Sequence, residues 1–194
     1  MDSSRILYHR LLWQPGYHMH EAWWQALGLA DWQQHYRRRL PQVRRELDRL
    51  ICRRRAFPES RFPGVGGAFT PLQAALLRGV PRLPMLMLAL GLLLSGCPDY
   101  VLWRPYRDAL AGWLDEQQRQ QLWGMWRYGH GSADVAPQEL ASFAGRCGVK
   151  ALELALADDP VWQAVRYVLP APADAPAPTV ALDTGLFMRL ERFL

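Results

Sequence analysis

Apolar positions recur along most of this chain at three- and four-residue steps, the repeat of helices that each bury one face. From Glu21 to Leu29 the stripe is Trp23, Trp24, Leu27 and Leu29; further on, Leu40, Val43, Leu47, Leu50 and Ile51 predict the buried side of a second helix. The longest regular pattern runs from Pro137 to Ala157, where Leu140, Phe143, Ala144, Cys147, Ala151, Leu154 and Ala155 share a face. Shorter helices are predicted at Pro71 to Arg78 behind a Thr70 cap, at Tyr106 to Leu114 (Leu110, Trp113, Leu114), at Asp115 to Tyr128 (Leu122, Trp123, Trp126) with Asp115 as cap, and from Pro160 to about Leu169. Met85 to Leu94 is apolar on every side, which predicts a central helix wrapped by its neighbours; Gly91 weakens it slightly and Pro98 ends it.

The expected architecture is therefore all-α: an irregular single-domain helical fold of about seven to nine helices over residues 1–169. Residues 170–179 form an Ala/Pro-rich linker in which no core can form. Residues 180–194 form a C-terminal amphipathic helix with Leu186, Phe187, Leu190, Phe193 and Leu194 on one side, suited to dock on this domain or on a partner. Phe57 to Thr70 is rich in Pro and Gly and reads as a long surface loop of the kind that contacts something.

Composition supports a folded chain. Half of the 194 residues are apolar and nine are Trp, and a chain of that length buries roughly 70% of its unfolded surface. There is no charged leader with an apolar core behind it, and the apolar run at Met85 to Leu94 is about half of what a membrane span needs, so a cytoplasmic location is expected. Cys52, Cys97 and Cys147 are odd in number and lie in no CxxC or Cys/His pairing, which predicts reduced, buried thiols rather than disulfides or structural zinc.

Charge changes the picture in one place. The net charge is +5, carried almost wholly by arginine, and Arg37, Arg38, Arg39, Arg44, Arg45, Arg49, Arg53, Arg54 and Arg55 fall in one short stretch against only Glu46 and Asp48. That pattern predicts a basic helix with one packed face and one face of guanidinium groups. Three readings compete. A solvated face needs no partner at all. Nucleic-acid binding would use the same groups on phosphates, but no zinc-finger, RRM or KH signature accompanies them. A protein partner with acidic surface suits Arg best, because the guanidinium pairs with carboxylates in bidentate fashion and is enriched at interfaces.

Candidate chemistry is sparse. His18 and His20 are two apart but have no third ligand at a spacing that would close a metal site, so capping or packing is the simpler role. Gly64, Val65, Gly66 and Gly67 match no phosphate-binding pattern, and Ser95, Ser132 and Ser142 sit in no GxSxG context. His9, His35 and His130 have no recognisable acid or base partner. No catalytic residue, metal or cofactor is expected.

The remaining signal is Trp13, Gln14, Pro15, Gly16, Tyr17, His18, Met19, His20, an aromatic-x-Pro segment that turns the chain into the Glu21 helix. This segment resembles the N-terminal stretch of the SctK family of bacterial type III secretion (YscK, PscK, OrgA and MxiK in different systems), which shows an aromatic residue, one residue, Pro, two residues, Tyr, one residue and His before its first helix. Trp13, Pro15 and His20 match; His18 stands where Tyr is usual and Tyr17 is one place early. Arg82, Leu83, Pro84, the Leu/Gly-rich run to Gly96, Trp103, Tyr106 to Leu114 and the Gln/Trp segment to Arg127 are similar to the middle of that family. The resemblance implies a non-enzymatic adaptor at the cytoplasmic face of the injectisome, without cofactors and associated with the membrane only through partners. Such adaptors link the cytoplasmic domain of the inner-ring protein SctD to SctQ pods of the sorting platform, which also carries SctL and the SctN ATPase. On this reading Arg37, Arg38, Arg44, Arg45 and Arg49 meet an acidic partner, and the Phe57 to Thr70 loop or Phe187 and Leu190 of the C-terminal helix supply a second contact.

Overall fold

The computed structural model describes residues 3–55, 68–126, 129, 131–171, 177–180 and 182–194. Among them the secondary structure is helical: α1 (Ser3–Trp13), α2 (Glu21–Ala26), α3 (Ala30–Tyr36), α4 (Pro41–Arg54), α5 (Pro71–Gly79), α6 (Leu83–Ser95), α7 (Asp99–Leu102), α8 (Arg104–Leu110), α9 (Glu116–Gly124), α10 (Pro137–Ala155), α11 (Pro160–Val165) and α12 (Thr184–Phe193), with 3-10 turns at Pro15–Tyr17, Val80–Arg82 and Arg166–Val168. The all-α expectation holds. The chain is cut more finely than its periodicity suggested, because proline resets it: α4, α5, α6, α8, α10 and α11 all carry Pro in the first turn, where its fixed φ is already helical and its missing N–H costs nothing.

The expected caps form as read. Thr70 and Gln73 make a reciprocal capping box on α5, and Asp115 and Gln118 make another on α9. Asp159 caps α11 by accepting from the amides of Val161 and Trp162, both at 2.9 Å, and its second oxygen accepts from Gln73 Nε2 at 2.9 Å, tying α11 to α5.

The contacts divide the chain into two compact units whose limits differ from the expected 169/170 and 179/180 boundaries: Met1–Val80 with Asp158–Ala171, and Pro81–Ala157 with Pro172–Leu194. In the first unit α1 packs on α4, α5 and α11. An aromatic core gathers Met19, Trp23, Trp24, Leu29, Tyr36, Leu47, Ile51 and Tyr167. The return segment is fixed by the indole of Trp23, which donates to Leu169 O at 2.9 Å, and by the amide of His20, which donates to Tyr167 O at 2.9 Å.

In the second unit α6 and α10 form the central pair, with α8 against α10 and α12 against α6 and α9. Every α6 residue from Leu86 to Leu94 is buried. The two helices cross with backbone nearly touching. A β-carbon built on Gly91 would lie 1.8 Å from Ala144 O, and one built on Gly148 would lie 2.1 Å from Met87 O. Gly91, expected only to weaken its helix, is what lets α10 approach it.

The C-terminal helix belongs to this unit. Phe187 and Leu190 are fully buried, Arg82 donates to the Glu191 backbone carbonyl, and the amides of Thr179 and Val180 donate to Leu94 O at 3.1 and 3.2 Å. By length and composition Pro71–Ser95 could cross a membrane, but it is built as two helices joined by a 3-10 turn, and 72% of its apolar stretch is buried inside protein.

The cysteines are all free. Cys97 and Cys147 are buried, and burial pushes both thiols up, Cys147 to about 11. Cys52 is half-buried and donates through Sγ to Leu12 O at 3.1 Å. A soluble thiol reagent at about pH 8 should therefore leave Cys97 and Cys147 unmodified in the folded protein and alkylate both once denaturant is added; mass spectrometry reads the difference, and rapid native labelling of Cys147 would contradict its place in the α6/α10 core.

Candidate protein-binding surface

The segment that opens with Trp13 is built as a 3-10 turn. Pro15 and Gly16 are buried, Tyr17 closes the turn, and the His20 ring caps α2 by accepting from the Ala22 amide at Nδ1, 3.2 Å away. His18 is half-buried and held below its ordinary pKa, first by burial and then by the positive charges of Arg10 and Arg37. Trp13 stays exposed at 53%.

Behind the turn lies a buried polar centre that sequence patterning did not single out. Asp48, on α4 and only 4% exposed, accepts the Gly16 amide at 3.2 Å and the Tyr36 hydroxyl at 2.9 Å. Burial raises its pKa, against the lowering pull of those hydrogen bonds and of Arg44 and Arg55. Tyr36 also rises, mainly through burial and then through the Asp48 charge. Gly16 sits so close to the Tyr36 ring that a β-carbon there would come within 2.6 Å of it. A signal for Asp48 was available: it lies on the helical face that also carries Ile51, four residues after Arg44.

This centre corrects the orientation expected for α4. Leu47 and Ile51 face the core, but Leu40 is 70% exposed and Val43 is exposed as well. The helix is turned so that Asp48 points inward, because the buried Gly16 amide and Tyr36 hydroxyl need an acceptor. Arg44 lies 5.5 Å over the Tyr17 ring and donates to its hydroxyl. Arg54 donates to the carbonyls of Leu27 and Gly28 at the end of α2. Arg55 donates to Leu11 O and Leu12 O, each at 3.3 Å, and stacks 4.9 Å over Tyr167. These guanidinium groups satisfy helix C-terminal carbonyls.

The expected arginine face is thus divided. Arg37, Arg38 and Arg39 are not in the basic helix at all, since α3 ends at Tyr36 and α4 starts at Pro41; they occupy the turn between, where Arg39 lies 5.7 Å over Trp32. Arg45, Arg49 and Arg53 are exposed at four-residue spacing on the outer face of α4, and Arg49 pairs with Glu46 at 2.5 Å. Of the proposed partner residues, Arg37, Arg38, Arg45 and Arg49 are outward, Arg44 is committed to Tyr17, and Phe187 and Leu190 are internal to the second unit. The Phe57 to Thr70 loop lies outside the described residues up to Gly67, and so does His130.

The second unit has an exposed set of its own: Leu102, Trp103, Trp113, Trp123 and Phe193. Trp113 and Trp123 were expected in buried stripes, but Leu110, Leu114 and Leu122 fill those places. Among the described residues no group of three His, Cys, Asp or Glu side chains is placed to hold a metal ion.

A family model described as a type III secretion system subunit matches residues 6–171, which includes the turn at Pro15, the Asp48 centre and the α6/α10 pair. The chain belongs to that family. As a type III secretion system subunit it has protein partners within the secretion apparatus. No curated protein and no solved structure matches it. The family match stops at Ala171, before α12, although α12 completes the core of the second unit.

Proposed function

We propose that this type III secretion subunit is a non-enzymatic adaptor of the sorting platform, held at the cytoplasmic face of the inner membrane by its partners and linking the cytoplasmic domain of SctD to SctQ pods. The observation that carries this reading is the presence of two compact units on one chain, each with its own exposed large side chains: Trp13, Trp32, Leu40 and Val43 on the first, and Leu102, Trp103, Trp113, Trp123 and Phe193 on the second. Solvent-exposed tryptophan beside arginine is the composition of interface centres, and a bridging protein needs two such places. The resemblance of Trp13, Pro15 and His20 to the SctK segment supports the choice of neighbours.

The alternative use of the arginines, on nucleic acid, is weakened by their division, since Arg44, Arg54 and Arg55 serve intramolecular bonds. The test is a pull-down of the full chain against the SctD cytoplasmic domain and against SctQ of the same genome, at low and moderate salt. Capture of both is expected; a folded protein that captures neither removes the adaptor reading.

A further inference from the structure

The charge of the stretch from Arg37 to Arg55 is almost uncompensated within the stretch itself. Of the two acidic residues among the nine arginines, Asp48 is buried and engaged with Gly16 and Tyr36, which leaves Glu46 alone on the surface. Arg45, Arg49 and Arg53 stand one helical turn apart, a same-sign spacing that weakens a helix, and Arg37 and Arg38 add two exposed groups just before its start. At that same end, Leu40 and Val43 project aliphatic side chains into solvent. A merely solvated charged face has no use for them, and a phosphate backbone offers them nothing to pack on. An acidic protein face uses both, with apolar anchors at the centre and arginine around them.

We propose that the first turns of α4 and the turn before it form a docking surface for an acidic protein face carrying an apolar ridge, with Leu40 and Val43 as anchor and Arg37, Arg38, Arg45 and Arg49 pairing its carboxylates. The proposal rests on the adaptor reading and narrows it to one surface of the first unit.

The experiment is a calorimetric titration of the full chain against the SctD cytoplasmic domain, SctQ and a short DNA duplex. It compares wild type, Arg38→Glu/Arg45→Glu and Leu40→Ser/Val43→Ser, with circular dichroism to show that each is folded. The four positions are exposed, so the fold is expected to survive. Each double variant should weaken one of the two protein contacts about tenfold or more and leave the other unchanged, with the arginine pair also flattening its salt dependence. If wild type binds its neighbours and both variants bind equally well, the docking surface is wrong while the adaptor reading stands. If wild type binds neither, both fall. Duplex binding that is lost with the arginines and kept with Leu40→Ser/Val43→Ser would overturn the proposal in favour of nucleic acid.

Discussion

Gly148→Ala is expected to destabilise the second unit by about 3 kcal/mol or more, at the upper end of what overpacking costs. The added carbon would meet Met87 O at 2.1 Å and the Gly91 amide nitrogen at 3.1 Å. Both are helix backbone, so no side chain can swing aside, and α6 and α10 must separate along a seam buried on both sides. Gly91→Ala should behave alike, since its new carbon would fall 1.8 Å from Ala144 O and 2.9 Å from the Gly148 nitrogen. The internal control is Gly145→Ala on the same helix, where nothing lies within 4 Å; it should stabilise by up to about 1 kcal/mol through helix propensity alone. Thermal or urea unfolding followed by circular dichroism would show opposite shifts for two glycines three residues apart. Equal effects would mean that α6 and α10 do not cross at Gly91 and Gly148.

Asp48→Ala should cost the first unit about 3 kcal/mol, because it strands two buried donors, the Gly16 amide and the Tyr36 hydroxyl, at roughly 1–3 kcal/mol each. Asp48→Asn should cost much less, since its amide oxygen can still accept. The pH dependence separates the two ideas of what Asp48 does. Its folded pKa is raised, mainly by burial, so the folded state holds the proton more tightly than the unfolded chain. Its contribution is therefore fully present below the unfolded value of about 4 and is lost as pH rises through the higher folded value. Asp48→Asn should remove that component of the stability profile. An unchanged profile would mean that the carboxyl is not buried as described. The same variants bear on the Trp13 to His20 turn: if Asp48 anchors Gly16, Asp48→Ala should increase proteolysis near that turn before it unfolds the unit.

Much of the helical content was legible locally. Thr70 and Asp115 caps, the proline starts and the α10 stripe are set within one or two turns of chain, where hydrogen bonding and φ restriction act without tertiary help. The amphipathic stripes were read with less success wherever polar groups compete for the interior. At the start of α4, Leu40 and Val43 stay in solvent while Asp48 takes an inward position, and around α8 and α9 the bulky Trp113 and Trp123 gave way to leucines. Hydrophobic periodicity weighs each residue by its own solvation, whereas a buried amide or hydroxyl elsewhere in the chain can draw a charged side chain inward. The helix α1 was not anticipated, although Tyr8, Leu11 and Leu12, which it buries, fall at the three- and four-residue steps of a helical stripe.

The candidate surface was half legible. The density of arginine between Arg37 and Arg55 named the region, but nothing local could separate Arg45 and Arg49, which face outward, from Arg54 and Arg55, which close the ends of helices α2 and α1. The sequence by itself determined the helical class, the proline and cap positions, the free thiols and the excess of positive charge, because each follows from near-neighbour stereochemistry or from composition. Only the tertiary structure decided which arginines are spent on carbonyls, that Asp48 is a buried anchor, that Gly91 and Gly148 are a crossing point, and that Phe187 and Leu190 pack within their own chain. Those outcomes depend on groups tens of residues apart meeting in space, and the hydrogen-bonding needs of one segment set the orientation of another.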